Sequence, residues 1–367
     1  MTHQWLYRRW WAWLTLPVSL LYGLLVTVHR CYYRYLPHKL KRLPVPVIVI
    51  GNLIAGGAGK TPVCLALIRH LQAQGWSPGV VSRGYGRDKK TAADYLEVEV
   101  DTPAALCGDE PLLLKQRTHV PIMVGPRRFE AGVRLLQQHP EVNVLVLDDG
   151  LQHRQLHTDV RIVVFDERGL GNGWLLPAGL LREPWPPPHH AQDFVLCPAS
   201  SPTKPHLKRA HQRLMSAFRQ APPLGIFFVQ RSLSPMAHAP CGKTQRVSDL
   251  VHLPSLALAG IAKPEQFFDM LTHNGIALAK TLALADHAHL QDIDFAALQA
   301  YPQWFMTEKD SVKLFPVWEH IRASLAQAHP TQALPQLWAV PLEVQIAPDF
   351  FTAFDERLSF LNGHTTS

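Results

Sequence analysis

A short apolar, β-branched run from Val45 to Ile50 ends in Gly51-Asn52 and is followed by Ala55-Gly56-Gly57-Ala58-Gly59-Lys60-Thr61. Successive glycines let backbone N–H groups turn inward around an anion at the start of a helix, so this order suits a phosphate cradle. Within it, Lys60 would reach the β and γ phosphates of a nucleotide, and Thr61 would offer its hydroxyl to Mg2+. The strict spacing G-x-x-x-x-G-K-[ST] is not met, because Ile54 occupies the first glycine position. A second G-K-T, at Gly242-Lys243-Thr244, lacks both a preceding apolar strand and neighbouring glycines and reads as a decoy.

Val144-Leu145-Val146-Leu147-Asp148-Asp149 is an apolar strand emptying into paired carboxylates, one of which would hold Mg2+ directly or through water. The spacing does not say which. Gly108-Asp109-Glu110-Pro111 before Leu112-Leu113-Leu114 fits a helix start as well as it fits a site. Ser82-Arg83-Gly84-Tyr85-Gly86-Arg87 suits an anionic ligand or a solvated turn. With 20 histidines in the chain, His153, His287 and His289 gain no privilege from spacing alone. Thr307-Glu308-Lys309-Asp310 differs from the guanine-reading [NT]-K-x-D in having its lysine and aspartate adjacent, which favours ATP over GTP.

These residues need strands that end where the loops begin. Thr61 to Gln74 has a helical apolar pattern and stops at Gly75, and further buried strands are predicted at 79–82, 142–147, 160–165 and 194–197. Alternating strands and helices imply an α/β fold, a P-loop NTPase-like mostly parallel sheet with flanking helices and its ligand site at the carboxyl ends of the strands. A proline-dense loop spans Glu183 to Pro188, and a second series of strands begins at Leu256 and continues at Trp304 and Leu337. The predicted organisation is an N-terminal anchor at 1–43, a nucleotide-binding domain at 44–235 and a smaller α/β lobe at 236–367.

The chain has 367 residues, 47% apolar and 18% charged, with a mean hydropathy of −0.03, which excludes disorder, a coiled coil and a polytopic membrane protein. Its five cysteines form no C-x-x-C pair, so neither a disulfide framework nor a zinc knuckle is indicated. The net charge is +7, yet residues 1–87 carry eleven Lys or Arg and no acid, leaving residues 88–367 at −4. The basic block surrounds an uncharged run from Trp10 to Val28, with Trp and Tyr at its ends, which reads as a membrane-associated helix attracted to anionic lipids. Spanning and interfacial placement both remain open, and Pro17 also allows a buried core helix. A cleaved signal peptide fits less well, since no small-x-small site follows. Nucleic acid is disfavoured because the charges flank an apolar helix, and no obligate protein partner is indicated.

Taken in order, the motifs closely resemble the tetraacyldisaccharide 4'-kinase family. They comprise Gly51-Asn52, the glycine loop through Pro62, Ser82 to Gly86, Gly108 to Pro111, and Asp148-Asp149-Gly150-Leu151-Gln152-His153. They continue with Gly171-Asn172-Gly173-Trp174, Leu176 to Gly179, Arg182-Glu183-Pro184, Ala259 to Ile261, Asp286-His287 and Thr307 to Asp310. Ile54 is shared with that family's loop. The resemblance implies Mg2+-dependent transfer of the ATP γ-phosphoryl group to the 4'-hydroxyl of an acylated glucosamine disaccharide 1-phosphate. This is a late step of lipid A biosynthesis at the cytoplasmic face of the bacterial inner membrane. It also implies that Asp109 pairs with His287 to activate the hydroxyl, and that Arg83, Arg127, Arg128 and Arg182 hold substrate. One departure stands at Ala288, where the family commonly has a further His. A membrane-tethered nucleotide switch is the alternative, since it would share the loop and Asp148.

Overall fold

The computed structural model describes residues 5–36, 39–57, 59–88, 92–187, 190–199, 205–285, 293–328, 331 and 333–365. Two of the predicted site residues, Ala58 and His287, lie outside them. The chain divides into two compact units, one of Met1–Arg83, Val120–Gln230 and Gln345–Ser367, the other of Gly84–His119 and Arg231–Val344.

In the first unit, seven strands are β1 (Val47–Gly51), β2 (Pro78–Ser82), β3 (Ile122–Val124), β4 (Val144–Asp148), β5 (Val160–Val164), β6 (Asp193–Pro198) and β7 (Gly225–Leu233). They are ordered β7-β6-β5-β1-β4-β2-β3, and the pairings of β1, β2, β6 and β7 with their neighbours are parallel. Every residue of β1 and β4 is buried, as expected of parallel strands covered on both faces, which is why they read as unbroken apolar runs. The covering helices include Lys60–Ala73, which buries Val63, Cys64, Leu67, Ile68 and Leu71, and Pro348–Thr365, which buries Phe350, Phe354 and Leu358. Asp355 ties the two together through His70 Nε2 at 2.8 Å. Ile50 of β1 is in register with Asp148 of β4, so the glycine loop and the paired aspartates leave the same edge of the sheet.

The N-terminal run forms helices Trp10–Leu14 and Leu16–Tyr35, with Pro17 in the first turn of the second, where its missing N–H costs no hydrogen bond. One side of the longer helix rests on residues between Leu175 and Pro184. Ser19 Oγ donates to Leu175 O at 2.9 Å, Tyr22 Oη to Arg182 O at 2.8 Å, and Arg30 pairs with Glu183 at 3.1 Å. A Cβ on Gly23 would lie 2.8 Å from Leu175, so glycine permits the close approach. The other side exposes Val18, Leu21, Leu24, Leu25 and Val28. Among the described residues, no helix is long and apolar enough to cross a membrane.

The second unit holds β8 (Met236–His238), β9 (Thr244–Arg246), β10 (Ser255–Ala259), β11 (Leu278–Ala283), β12 (Gln303–Thr307) and β13 (Gln336–Val340), ordered β9-β8-β13-β12-β10-β11. Alternate residues serve two cores: Phe305 and Trp338 pack with Phe267 and Leu271, whereas Trp304 and Met306 pack with Trp318 and Leu325. The decoy Gly242-Lys243-Thr244 is the turn between antiparallel β8 and β9, closed by Ala239 N donating to Lys243 O.

Contiguous boundaries at 43 and 235 differ from these units. The excursion 84–119 between β2 and β3 joins the second unit, where its helix Asp109–Thr118 packs on Glu308–Leu314, and the C-terminal helix joins the first. Amphipathic periodicity shows that a helix has a buried face but not which core receives it.

Candidate functional site

The loop after β1 starts extended. Ile54, fully buried, bridges Leu181, and Ala55 N donates to Leu180 O at 2.8 Å, so the loop is tied down before its first left-handed glycine. Gly56 and Gly59 take positive φ, the latter at 72° as the residue capping helix Lys60–Ala73. That conformation costs glycine little and an L side chain about 1–2 kcal/mol. Asn52 Nδ2 donates to Gly56 O at 3.0 Å. Thr61 lies in the first turn, where uncapped N–H groups and the helix dipole favour an anion.

Beside the loop, Asp149 stands at φ 52° after β4, forms an ion pair with Lys60 Nζ at 3.2 Å and accepts from the Arg182 guanidinium at 3.5 Å. Burial raises the Asp149 pKa, but Lys60 and Arg182 outweigh it and hold the carboxyl below its ordinary value. Asp148 is buried and accepts Ser82 Oγ at 3.2 Å from the adjacent β2. Arg182 reaches Asp149 because Arg182 N donates to Leu53 O at 2.8 Å, fastening its segment to the start of the loop. Its guanidinium also approaches Gln152 Oε1 at 3.5 Å.

Arg128 is buried, which depresses its pKa while the charges of Asp148 and Asp149 oppose the shift. His153 is depressed by burial and then by Arg128, so it is neutral at neutral pH. Arg83 is exposed at the end of β2, and Arg127 is exposed, 3.9 Å from Glu130. The structure thus gathers Lys60, Arg128 and Arg182 about the aspartate pair, with Arg127 turned to the surface.

In the second unit, Asp109 opens the helix Asp109–Thr118, buried, with its Oδ2 2.7 Å from Lys313 Nζ, and Glu110 pairs with Lys309 at 3.2 Å. Gly108 has φ 95°, and a Cβ there would meet Tyr85 O at 2.8 Å, so the Gly84-Tyr85-Gly86 turn dictates glycine. Thr307 caps the helix Glu308–Leu314, and buried Asp310 accepts Thr307 Oγ1 at 2.5 Å and Gly260 N at 3.0 Å. Burial pushes the Asp310 carboxyl up. Lys309 of this segment and Lys313, one turn further along the helix, therefore face the acidic pair at 109–110.

A profile of the tetraacyldisaccharide-1-P 4'-kinase family matches residues 11–359. The chain belongs to that family. A tetraacyldisaccharide 4'-kinase from Polaromonas naphthalenivorans (strain CJ2) is 44% identical across 99% of this chain and 98% of its own. Another, from Acidovorax ebreus (strain TPSY), is 46% identical across 95% and 91%. A crystal structure described as the "apo" form of LpxK from Aquifex aeolicus in complex with ATP shares the fold, with a TM-score of 0.69 at 24% identity, covering 95% of this chain and 99% of that one.

Within this kinase family fold, Lys313 escapes a motif search, since it meets Asp109 only through the packing of helix Asp109–Thr118 on Glu308–Leu314. Ser82 stands in a motif, but its bond to Asp148 is a tertiary contact that no local pattern shows. Asp166 and Arg168, buried behind the glycine loop, had a signal: Phe165-Asp166-Glu167-Arg168-Gly169 follows an apolar strand as Asp148-Asp149-Gly150 does.

Proposed function

We propose that this chain transfers the γ-phosphoryl group of ATP to the 4'-hydroxyl of a tetraacylated glucosamine disaccharide 1-phosphate, in lipid A biosynthesis at the cytoplasmic face of the bacterial inner membrane. The observation that carries it is the left-handed Gly59 leading into Lys60, with Lys60 already resting on the carboxylate of Asp149. Relatives named for this reaction, and the ATP named with the solved relative, supply the acceptor and the donor.

Lys60, Arg128 and Arg182 form a cationic wall that would hold phosphate oxygens in line and offset charge as transfer proceeds. A hard cation fits the oxygen donors of Thr61 and Asp148, since Mg2+ needs few protein ligands when phosphates and water complete its shell. When bound, it would neutralise phosphate charge. Asp148 is the better ligand of the pair because Lys60 and Arg182 already occupy Asp149. Asp109, whose Oδ2 lies 2.7 Å from Lys313 Nζ, and His287 would share the hydroxyl's proton.

The amphiphilic acceptor calls for a membrane surface, and three observations support an interfacial helix. Helix Leu16–Tyr35 has one side on protein and an apolar side exposed. Trp10 and Trp13 are exposed at its start, beside Arg8 stacked on Trp174 at 4.8 Å. Arg213 and Arg8 grip the adjacent carbonyls of Gly171 and Asn172, and Arg209 adds its charge nearby. Such a collar of aromatics and cations suits anionic headgroups.

Incubation with γ-labelled ATP, Mg2+ and the tetraacyl disaccharide 1-phosphate in detergent should label lipid, and Lys60→Ala should not. ATP consumption without labelled lipid would favour the nucleotide switch instead.

A further inference from the structure

We propose that Arg168 and Asp166 are positioning residues for nucleotide binding, a buried clamp that sets the curvature of the phosphate loop from behind. The inference rests on reading that loop as a triphosphate cradle. Both residues follow β5, the neighbour of β1, and both are almost completely buried. Asp166 Oδ1 accepts Arg168 N at 2.8 Å and Nε at 3.1 Å, and Oδ2 accepts Nε at 2.9 Å and a terminal nitrogen at 2.7 Å. This fixes the guanidinium plane. Its two terminal nitrogens then donate to Ala55 O at 3.1 Å and Gly57 O at 3.2 Å.

The loop needs outside support because of Ile54. Where a strict motif places its first glycine, this chain has a residue bridged to Leu181, and the left-handed turns fall later, at Gly56 and Gly59. In a planar trans peptide, C=O and N–H point opposite ways, so holding Ala55 O turns the Gly56 N–H away from Arg168. Gly56 takes φ 88°, which already favours glycine, and a Cβ there would stand 3.2 Å from the guanidinium, so the clamp lies close against the turn. The Asp166 carboxylate balances the charge of Arg168, which leaves orientation of the loop, rather than net attraction of phosphate, as the contribution of the pair.

The test measures ATP affinity by calorimetry and KM for each substrate on the full chain. Arg168→Lys keeps the charge and loses the two-pronged grip. A hydrogen bond to a charged group contributes enough that its loss should weaken ATP binding about ten-fold or more, with KM for the lipid unchanged within about two-fold. Breaking one side of a buried pair can unfold a protein, so D166N/R168M, which removes both charges, is the second variant. Arg161→Lys is the control, because half-buried Arg161, on β5, pairs with buried Asp193 of β6 at 2.7 Å. ATP affinity near wild type in both folded clamp variants, or an equal loss in the control, would overturn the clamp. Hydrogen exchange in nucleotide-free protein gives an independent reading. Amides at Gly56, Gly57 and Gly59 should exchange faster in Arg168→Lys than its change in global stability accounts for. Unchanged exchange there would overturn the clamp whether or not ATP binds, which separates its failure from failure of the nucleotide reading.

Discussion

Asp149 is held in a left-handed conformation that an L residue normally avoids, with Lys60 and Arg182 on its two oxygens. Those cations keep its folded pKa below the unfolded value near 3.8. By linkage, the stability it contributes is complete above that value and is lost as pH falls through the lower folded one. Asp149→Asn should therefore melt below wild type at neutral pH, and the gap should close in acid. A gap that stays constant across a pH series of melts would contradict the ion-pair account. Gly59 makes a second demand on the same loop: its φ of 72° makes Gly59→Ala cost about 1–2 kcal/mol in a denaturant titration. It should weaken ATP binding as well, and a substitution tolerated on both counts would mean the turn is not needed.

Helix Leu16–Tyr35 is fastened to the segment that carries Arg182, since Tyr22 bonds the carbonyl of Arg182 and Arg30 pairs with Glu183. His29 on this helix has a pKa lowered by burial and then by Arg154, with Glu183 opposing. An imidazole kept neutral when folded loses stability as pH falls below its ordinary 6.5, because the released form binds the proton more readily. Thermal melts should show a small loss of stability under mild acid, and His29→Gln should flatten that response. In the second unit, Asp310 joins Gly260 to the Thr307 cap. Asp310→Ala removes both bonds from a buried place and should cost about 1–3 kcal/mol, read from thermal unfolding.

The molecule concentrates its charge at one end of the chain, and the proposed partner is a surface rather than a polymer. Binding to vesicles containing anionic phospholipid should exceed binding to neutral vesicles and weaken with salt, as the Debye length shrinks. Each of Arg8, Arg209 and Arg213 changed to Gln should lower the partition by about 1 kcal/mol, or roughly five-fold. Equal binding to neutral vesicles would remove the electrostatic part, leaving only the apolar face.

The order of residues alone was enough to locate the glycine loop, its strand, the aspartate-bearing strand and the family. Each of these depends on neighbours a few positions apart: β-branched runs extend, glycines permit left-handed turns, and helices begin at such turns. The bond from Arg168 to Ala55, Lys313 against Asp109, and the placement of 84–119 with the second unit join residues far apart in the chain. Only packing chose those partners, because a side chain's local pattern shows that it must be buried or paired but not which distant group will meet it.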